Sequence, residues 1–224
     1  MQKKVLVTGG LGYIGSHTVL SLLDSGFSVV CVDNLSNSEI WIKDQIEKIA
    51  GKTFGFYNLD ISNFDEFKKV VSKFNIDGVI HFAAYKAVGE SVEDPLKYYE
   101  NNIVGLLNVL KICKDFSIDN FIFSSSATVY GNTAQIPVNE NSVLWKAISP
   151  YGETKLWGEE IVKTWSKSYK KKFVILRYFN PIGGQKDGLL GELPKGTPNN
   201  LIPYLVQVAT GTREKLFVYG NDYN

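Results

Sequence analysis

The sequence predicts an α/β fold built on a doubly wound parallel sheet, and three observations lead there. Short apolar runs alternate with helix-like stretches about every 25–35 residues. The first run leads directly into Gly9-Gly10-Leu11-Gly12-Tyr13-Ile14-Gly15, a glycine-spaced turn that opens a helix. Most of the distinctive polar residues then fall just after the runs, at the carboxyl ends of the strands, where open sheets of this kind bind ligands.

Taken in order, residues 3–8 form a short apolar run ending in Thr8, as expected of a buried parallel strand. The helix opened by the glycines continues to about Ser25, where Gly26 stops it. Glycines at 9, 12 and 15 permit a tight turn, close backbone approach to a pyrophosphate and close helix–strand packing. A second strand at 28–32 ends at Asp33, eighteen residues beyond Gly15. A carboxylate there bonds the adenosine ribose hydroxyls and repels a 2′-phosphate, so the expected cofactor is NAD rather than NADP.

The alternation continues with a helix at 36–50 and a strand at 53–58. Ser62 and Asp65 resemble a capping pair for a helix at 63–74. Strand 78–82 ends in His81-Phe82-Ala83-Ala84, and Asp94-Pro95 is an N-cap and first-turn pair for a long helix reaching about Phe116. Strand 120–124 carries Ser124-Ser125-Ser126, helix 153–169 carries Lys155, and strand 172–177 precedes Arg177-Tyr178-Phe179-Asn180-Pro181. The stretch from Gly183 to Asn200 is rich in Gly, Pro and Asn and is expected to be irregular, as a linker or a substrate loop.

Composition bounds the partners. The 224 residues are 44% hydrophobic and 21% charged with a formal net charge of +1, so no charge footprint for nucleic acid or an anionic membrane is expected. Lys3 and Lys4 are followed only by Val5-Leu6-Val7 before the glycines, which is no signal peptide, and no apolar run approaches a membrane span. Cys31 and Cys113 read as small core residues, consistent with a reducing cytoplasm. His17 and His81 have no metal-like spacing and read as structural, so no metal is expected.

The chemistry-bearing stretch is Tyr151-Gly152-Glu153-Thr154-Lys155. Tyr151 and Lys155, four apart, share one helix face, and an ammonium beside a phenol is expected to lower the tyrosine pKa toward neutrality. Such a tyrosine removes a proton from a hydroxyl that is losing hydride. About one Tyr-x-x-x-Lys pair arises by chance in a chain of this content, so the pair gains its force from the serine run upstream.

Together these residues resemble the extended short-chain dehydrogenase/reductases, and within them the UDP-glucose 4-epimerases. The pattern is carried by the glycine turn, Val32-Asp33-Asn34-Leu35, residues 81–91, Phe123-Ser124-Ser125-Ser126-Ala127-Thr128-Val129-Tyr130-Gly131, Tyr151 with Lys155, residues 177–181, and Pro198-Asn199-Asn200-Leu201-Ile202-Pro203-Tyr204. The resemblance implies a Rossmann-type NAD-binding domain over 1–180 and the beginning of a smaller substrate-binding lobe over 181–224. It implies cofactor contacts at Gly9, Gly12, Tyr13, Ile14, Gly15, Asp33, Asn34, Asn37 and Ser38. Further contacts are implied at Asp60, Ile61, Phe82, Ala83, Ala84, Lys86, Asn101, Ser124, Tyr151, Lys155 and Phe179. Ser126, Tyr151 and Lys155 are the implied catalytic residues. Lys86, Ser126, Tyr151, Asn180, Asn199, Asn200, Leu201, Phe217 and Tyr219 are implied to border the sugar nucleotide.

The implied reaction interconverts UDP-glucose and UDP-galactose, in galactose metabolism, through a 4-keto sugar and bound NAD. N-acetylated forms are further candidate substrates, and a homodimer is the expected assembly. A sugar-nucleotide dehydrogenase or dehydratase is the competing reading. The dehydratases place a carboxylate just after the active-site hydroxyl residue, whereas Ala127 and Thr128 stand there. A non-catalytic NAD-binding protein is the other alternative, and the intact Ser126, Tyr151 and Lys155 speak against it. Relatives implied by the pattern continue beyond Asn224 with an arginine that meets the diphosphate. The chain as given is therefore expected to bind NAD but to turn over UDP-sugars poorly.

Overall fold

In the computed structural model, residues 2–133, 136–198, 200–218 and 220–221 are described. Six parallel strands form one sheet in the order β3-β2-β1-β4-β5-β6. They are β1 (Lys4–Thr8), β2 (Ser28–Asp33), β3 (Gly55–Asn58), β4 (Gly78–His81), β5 (Asn120–Ser126) and β6 (Lys172–Tyr178). The chain moves outward from β1 to β3, then returns to the other side of β1 at β4. That reversal opens a crevice beyond the carboxyl ends of β1 and β4, the expected ligand position in a doubly wound sheet. Thr8 pairs in register with Val32 on one side and His81 on the other.

Successive residues of a strand face opposite sides, and β1 shows it. Val5 and Val7 enter an apolar cluster with Leu11, Val19, Leu20, Cys31, Ile46 and Phe54, under helices α1 (Tyr13–Asp24) and α2 (Trp41–Ala50). Leu6 enters the opposite cluster with Phe67, Leu106, Ile112, Phe121 and Val162. Those side chains belong to α3 (Phe64–Val71), to β5, and to helices α6 (Gly105–Asp115) and α7 (Pro150–Tyr169); the short helices α4 (Val88–Glu93) and α5 (Pro95–Tyr98) precede α6. Helix α8 (Leu201–Ala209) is the last helix among the described residues. The sheet is thus sandwiched by helices on both faces, as parallel strands require.

Several boundaries differ from the sequence expectation, each for a local reason. Helix α2 starts at Trp41 rather than 36, because Asp33 and Asn34 side chains capture the Leu35 and Ser36 N–H groups and Leu35 turns left-handed at φ 59°. The cap of α3 is Asn63, whose side chain accepts the Glu66 N–H, and not Ser62, whose own N–H is given to Asp60. Asp94 does cap the long helix, accepting the Lys97 N–H with Pro95 in the first turn. That helix is interrupted by a π-helical turn at Tyr99–Val104. Helix α7 starts at Pro150, capped by Ser149 onto the Gly152 N–H, so Tyr151 lies inside it. Strand β6 sits at the sheet's edge and leaves Phe173, Val174 and Leu176 exposed. Among the described residues, no helix is long and apolar enough to cross a membrane.

Candidate active site

The glycine turn forms a cradle that no side chain could share. A Cβ on Gly15 would stand 2.1 Å from the Gly9 carbonyl oxygen, and one on Gly9, at φ +69°, 2.6 Å from the Ala83 nitrogen. The backbones after β1 and β4 are therefore in near contact. Helix α1 begins at this cradle with Gly12 as a cap that has no side chain to offer, and with no acidic residue in its first turn. Its first N–H groups and the positive end of its dipole are left for an anion, so the cradle suits a dinucleotide pyrophosphate.

At the end of β2, Asp33 is buried and its carboxylate takes three protein donors. Leu11 N–H reaches Oδ2 at 3.0 Å, while Leu35 N–H and the Ser38 hydroxyl reach Oδ1 at 2.9 and 2.8 Å. The carboxylate is thus fixed in direction, with acceptor capacity left for ribose hydroxyls. Asn34 donates to Asp60 at 2.9 Å, which ties the loops after β2 and β3. Burial acts to raise the Asp60 pKa, but bonds from Ser62 and Asn34 outweigh it and hold the carboxyl below its ordinary range. Asn37 is exposed on the same loop.

On the other side of the crevice, β5 ends in the serines. Ser126 accepts the Thr128 N–H at 3.2 Å, at the start of a 3-10 turn over Ala127–Tyr130. Its side chain also acts on that of Tyr151, in the direction that favours the phenolate. Lys155 is 5% exposed, donates to the Ser124 carbonyl at 2.8 Å, and lies 5.8 Å from the centre of the Tyr151 ring. Ser124, Ser126, Tyr151 and Lys155 are thus in one place.

The electrostatics correct the sequence expectation. The Tyr151 pKa is raised, because burial penalises the phenolate more than the neighbouring Ser126 side chain favours it. Burial also lowers Lys155 to about 8. The ammonium is spent on the Ser124 carbonyl and the rings of Tyr151 and Phe123, rather than on the phenol oxygen. A cation placed near Tyr151 by a bound group would act in the direction of the phenolate.

The remaining expected residues spread along the crevice. Phe82, Ala83 and Ala84 line the turn after β4 and are partly buried, and Asn101 donates to Asn102 in the π turn. Lys86 is exposed and meets Glu192 at 3.2 Å, and Asn200 donates to the same carboxylate oxygen at 2.8 Å. Phe179 stacks on Tyr130 at 6.2 Å, while Asn180 beside it is exposed. Ile61 is buried in the core beneath Gly105. Leu201 is exposed at the start of α8, and Phe217 lies on the C-terminal segment with Lys215 over its ring. Asn199 and Tyr219 lie outside the described residues.

The sequence pattern alone assigns no role in the site to Thr8, Glu159 or Arg177. Thr8, fully buried, shares a 2.7 Å hydrogen bond with Nδ1 of His81, at the centre of the crevice floor. Fully buried Glu159 and partly buried Arg177 form an ion pair behind Ser125. Their signal was present: Tyr151, Lys155 and Glu159 repeat every four residues on α7, and Arg177 is a charge inside an apolar strand.

A model of the NAD dependent epimerase/dehydratase family matches residues 5–223. The chain is 49% identical to UDP-glucose 4-epimerase 2 of Arabidopsis thaliana over all of its own length and 65% of that protein's. It is 48% identical to UDP-glucose 4-epimerase of Erwinia amylovora, over 98% of this chain and 65% of the relative. The crystal structure of UDP-glucose 4-epimerase from Bifidobacterium longum in complex with NAD+ and UDP superposes with a TM-score of 0.96 at 44% identity, covering 99% of this chain and 67% of that one. The chain spans about two thirds of the length of these relatives.

Proposed function

The chain belongs to the NAD dependent epimerase/dehydratase family, and from that we propose that it holds NAD and acts in the interconversion of UDP-glucose and UDP-galactose. The observation that carries this reading is the meeting of Ser126, Tyr151 and Lys155 at the crevice that the glycine cradle and Asp33 also face. Its cofactor unit is residues 1–180, and residues 181–224 begin the sugar-nucleotide lobe.

The cofactor fits the residues present. The Gly9–Gly15 cradle and the open end of α1 suit its pyrophosphate, and Asp33 suits the adenosine ribose and disfavours a 2′-phosphate. When bound, NAD supplies a hydride acceptor, a hydride donor and a positive ring. Tyr151 takes the proton from the sugar O4 as C4 is oxidised, and returns it when C4 is reduced on the opposite face. Ser126 offers its hydroxyl to the same sugar oxygen, and Lys155 holds positive charge near the Tyr151 ring. Asn180 and Asn200, with Asn199, Leu201, Phe217 and Tyr219, border the UDP moiety in this reading.

A cytoplasmic homodimer completes the proposal. Cys31 and Cys113 are both free and buried, and exposed apolar side chains on the adjoining helices α5, α6 and α7 (Leu96, Leu107 and Trp157) supply a face for a second copy. The test is turnover of UDP-galactose by the whole protein, followed at the NADH absorbance band. UDP-glucose is expected without NADH growing in step, and Tyr151→Phe is expected to lower turnover by about 10²–10⁴-fold. NADH accumulating in proportion to product would replace the epimerase reading with a dehydrogenase.

A further inference from the structure

The segment between β6 and α8 has no helix or strand among its described residues, yet it is pinned at several points. Gln185 N–H donates to the Leu190 carbonyl at 2.7 Å, and Leu190, 4% exposed, joins the apolar cluster that holds Leu11 and Leu35. The Tyr13 hydroxyl donates to the Gly183 carbonyl at 2.7 Å. Lys195 reaches the Leu35 carbonyl at 3.0 Å and Glu39 at 3.2 Å. Lys86 meets Glu192 at 3.2 Å. Tyr13, Leu35 and Lys86 follow β1, β2 and β4 respectively, so the anchors lie around the crevice that opens beyond those strands.

We propose that residues 183–198 form a strap across the dinucleotide crevice, and that Glu192, gripping Lys86 and Asn200 with one carboxylate oxygen, is the positioning residue that keeps it closed. The proposal rests on the NAD reading above. The Glu192 side chain is 12% exposed, whereas that of Lys86 is 54% exposed. An ammonium has three donors, so Lys86 can serve Glu192 and still present two to a phosphate oxygen. The dinucleotide leaves only when the Glu192 and Lys195 contacts open and Leu190 lifts out. A half-exposed ion pair adds little to global stability, so the pair governs escape of the cofactor rather than folding.

The test uses protein purified with NAD bound and measures how fast NAD is lost on dilution, quantified after separation, alongside urea unfolding. Glu192→Gln keeps an acceptor for Asn200 and removes the charge that Lys86 faces. It is expected to speed release about tenfold. Lys195→Met, at the other end of the strap, is expected to speed it severalfold, and neither should move the urea midpoint. Release within twofold of the parent in both variants overturns the strap. Faster release matched by a proportionate loss of stability overturns it too, since that marks a merely structural role. A parent protein that holds no NAD overturns the cofactor reading itself; one that holds NAD with release unmoved by Glu192→Gln overturns only the strap.

Discussion

Glu159 and Arg177 face each other through two near-parallel hydrogen bonds, Nε to Oε1 at 2.9 Å and Nη2 to Oε2 at 2.8 Å. The Glu159 side chain is fully buried, and its Oε1 also accepts the Ser125 hydroxyl at 2.6 Å. Arg177 further donates to the Tyr130 hydroxyl at 3.1 Å and lies over that ring at 5.0 Å. One ion pair therefore joins α7, which carries Tyr151 and Lys155, to the end of β5, which carries Ser126, and to the edge strand β6.

Removing one partner of such a pair leaves the other charge with unmet bonds. Glu159→Gln keeps the shape but gives up the charge, and is expected to destabilise the fold by about 3 kcal/mol. Urea unfolding of the variant against the parent checks it. A loss under about 1 kcal/mol would mean that the pair is solvated well enough to matter little.

Legibility followed how local each signal was. The glycine turn, Asp33 and the Tyr151/Lys155 spacing are written in short stretches, and the alternation of apolar runs gave the six strands in their order along the chain. Periodicity alone overextends helix α2, because turn-forming bonds from Asp33 and Asn34 compete with helix and leave no mark on it. Spacing also points the wrong way for the Tyr151 shift, because it reports which residues share a face and not how deeply that face is buried. Glu192 was invisible: a lone acid in a Gly- and Pro-rich loop acquires meaning only when Lys86, 106 residues away, is folded against it.

The cradle makes a sharp prediction at Gly15. A Cβ there meets backbone atoms, the Gly9 oxygen at 2.1 Å and the Gly10 Cα at 2.8 Å, so no side-chain rotation relieves it. Gly15→Ala is expected to cost about 1–3 kcal/mol of stability and to weaken NAD binding at least tenfold by calorimetry. Gly89→Ala is the control, since a Cβ at that helical position meets nothing within 4 Å. Equal effects from the two substitutions would refute the cradle argument.

Lys155 ties stability to pH in the alkaline range. Its folded pKa, lowered to about 8 by burial, lies below the ordinary 10.5. Between those values the unfolded chain holds a proton that the folded chain has released, so stability rises with pH across that window. Lys155→Met should leave the chain at least as stable at pH 7, flatten the rise between pH 8 and 10, and abolish most turnover in the whole protein. Urea midpoints at pH 7 and 9.5 decide it, and an unchanged slope would mean that Lys155 does not carry the effect.

His81 makes the opposite end of the pH scale informative. It is buried between Phe121 and Phe123, stacked at 6.3 and 6.1 Å, and shares its Nδ1 with the Thr8 hydroxyl at 2.7 Å. Burial, and then the nearby Lys155 charge, lower its pKa to about 3. The folded chain therefore keeps the ring neutral, while the unfolded chain protonates it near the ordinary 6.5. Below that value the unfolded state binds the extra proton, so stability falls as the pH drops from about 6.5 toward 3. His81→Phe preserves a ring between the two phenylalanines but strands the fully buried Thr8 hydroxyl. At pH 7.5 the variant should be less stable by about 1–3 kcal/mol, the cost of a buried hydroxyl without its partner. Between pH 6.5 and 4.5 the parent should lose stability faster than the variant, so their urea midpoints converge. If the two curves instead run parallel on acidification, the proton that destabilises the fold is taken up elsewhere, and His81 is only a packing residue.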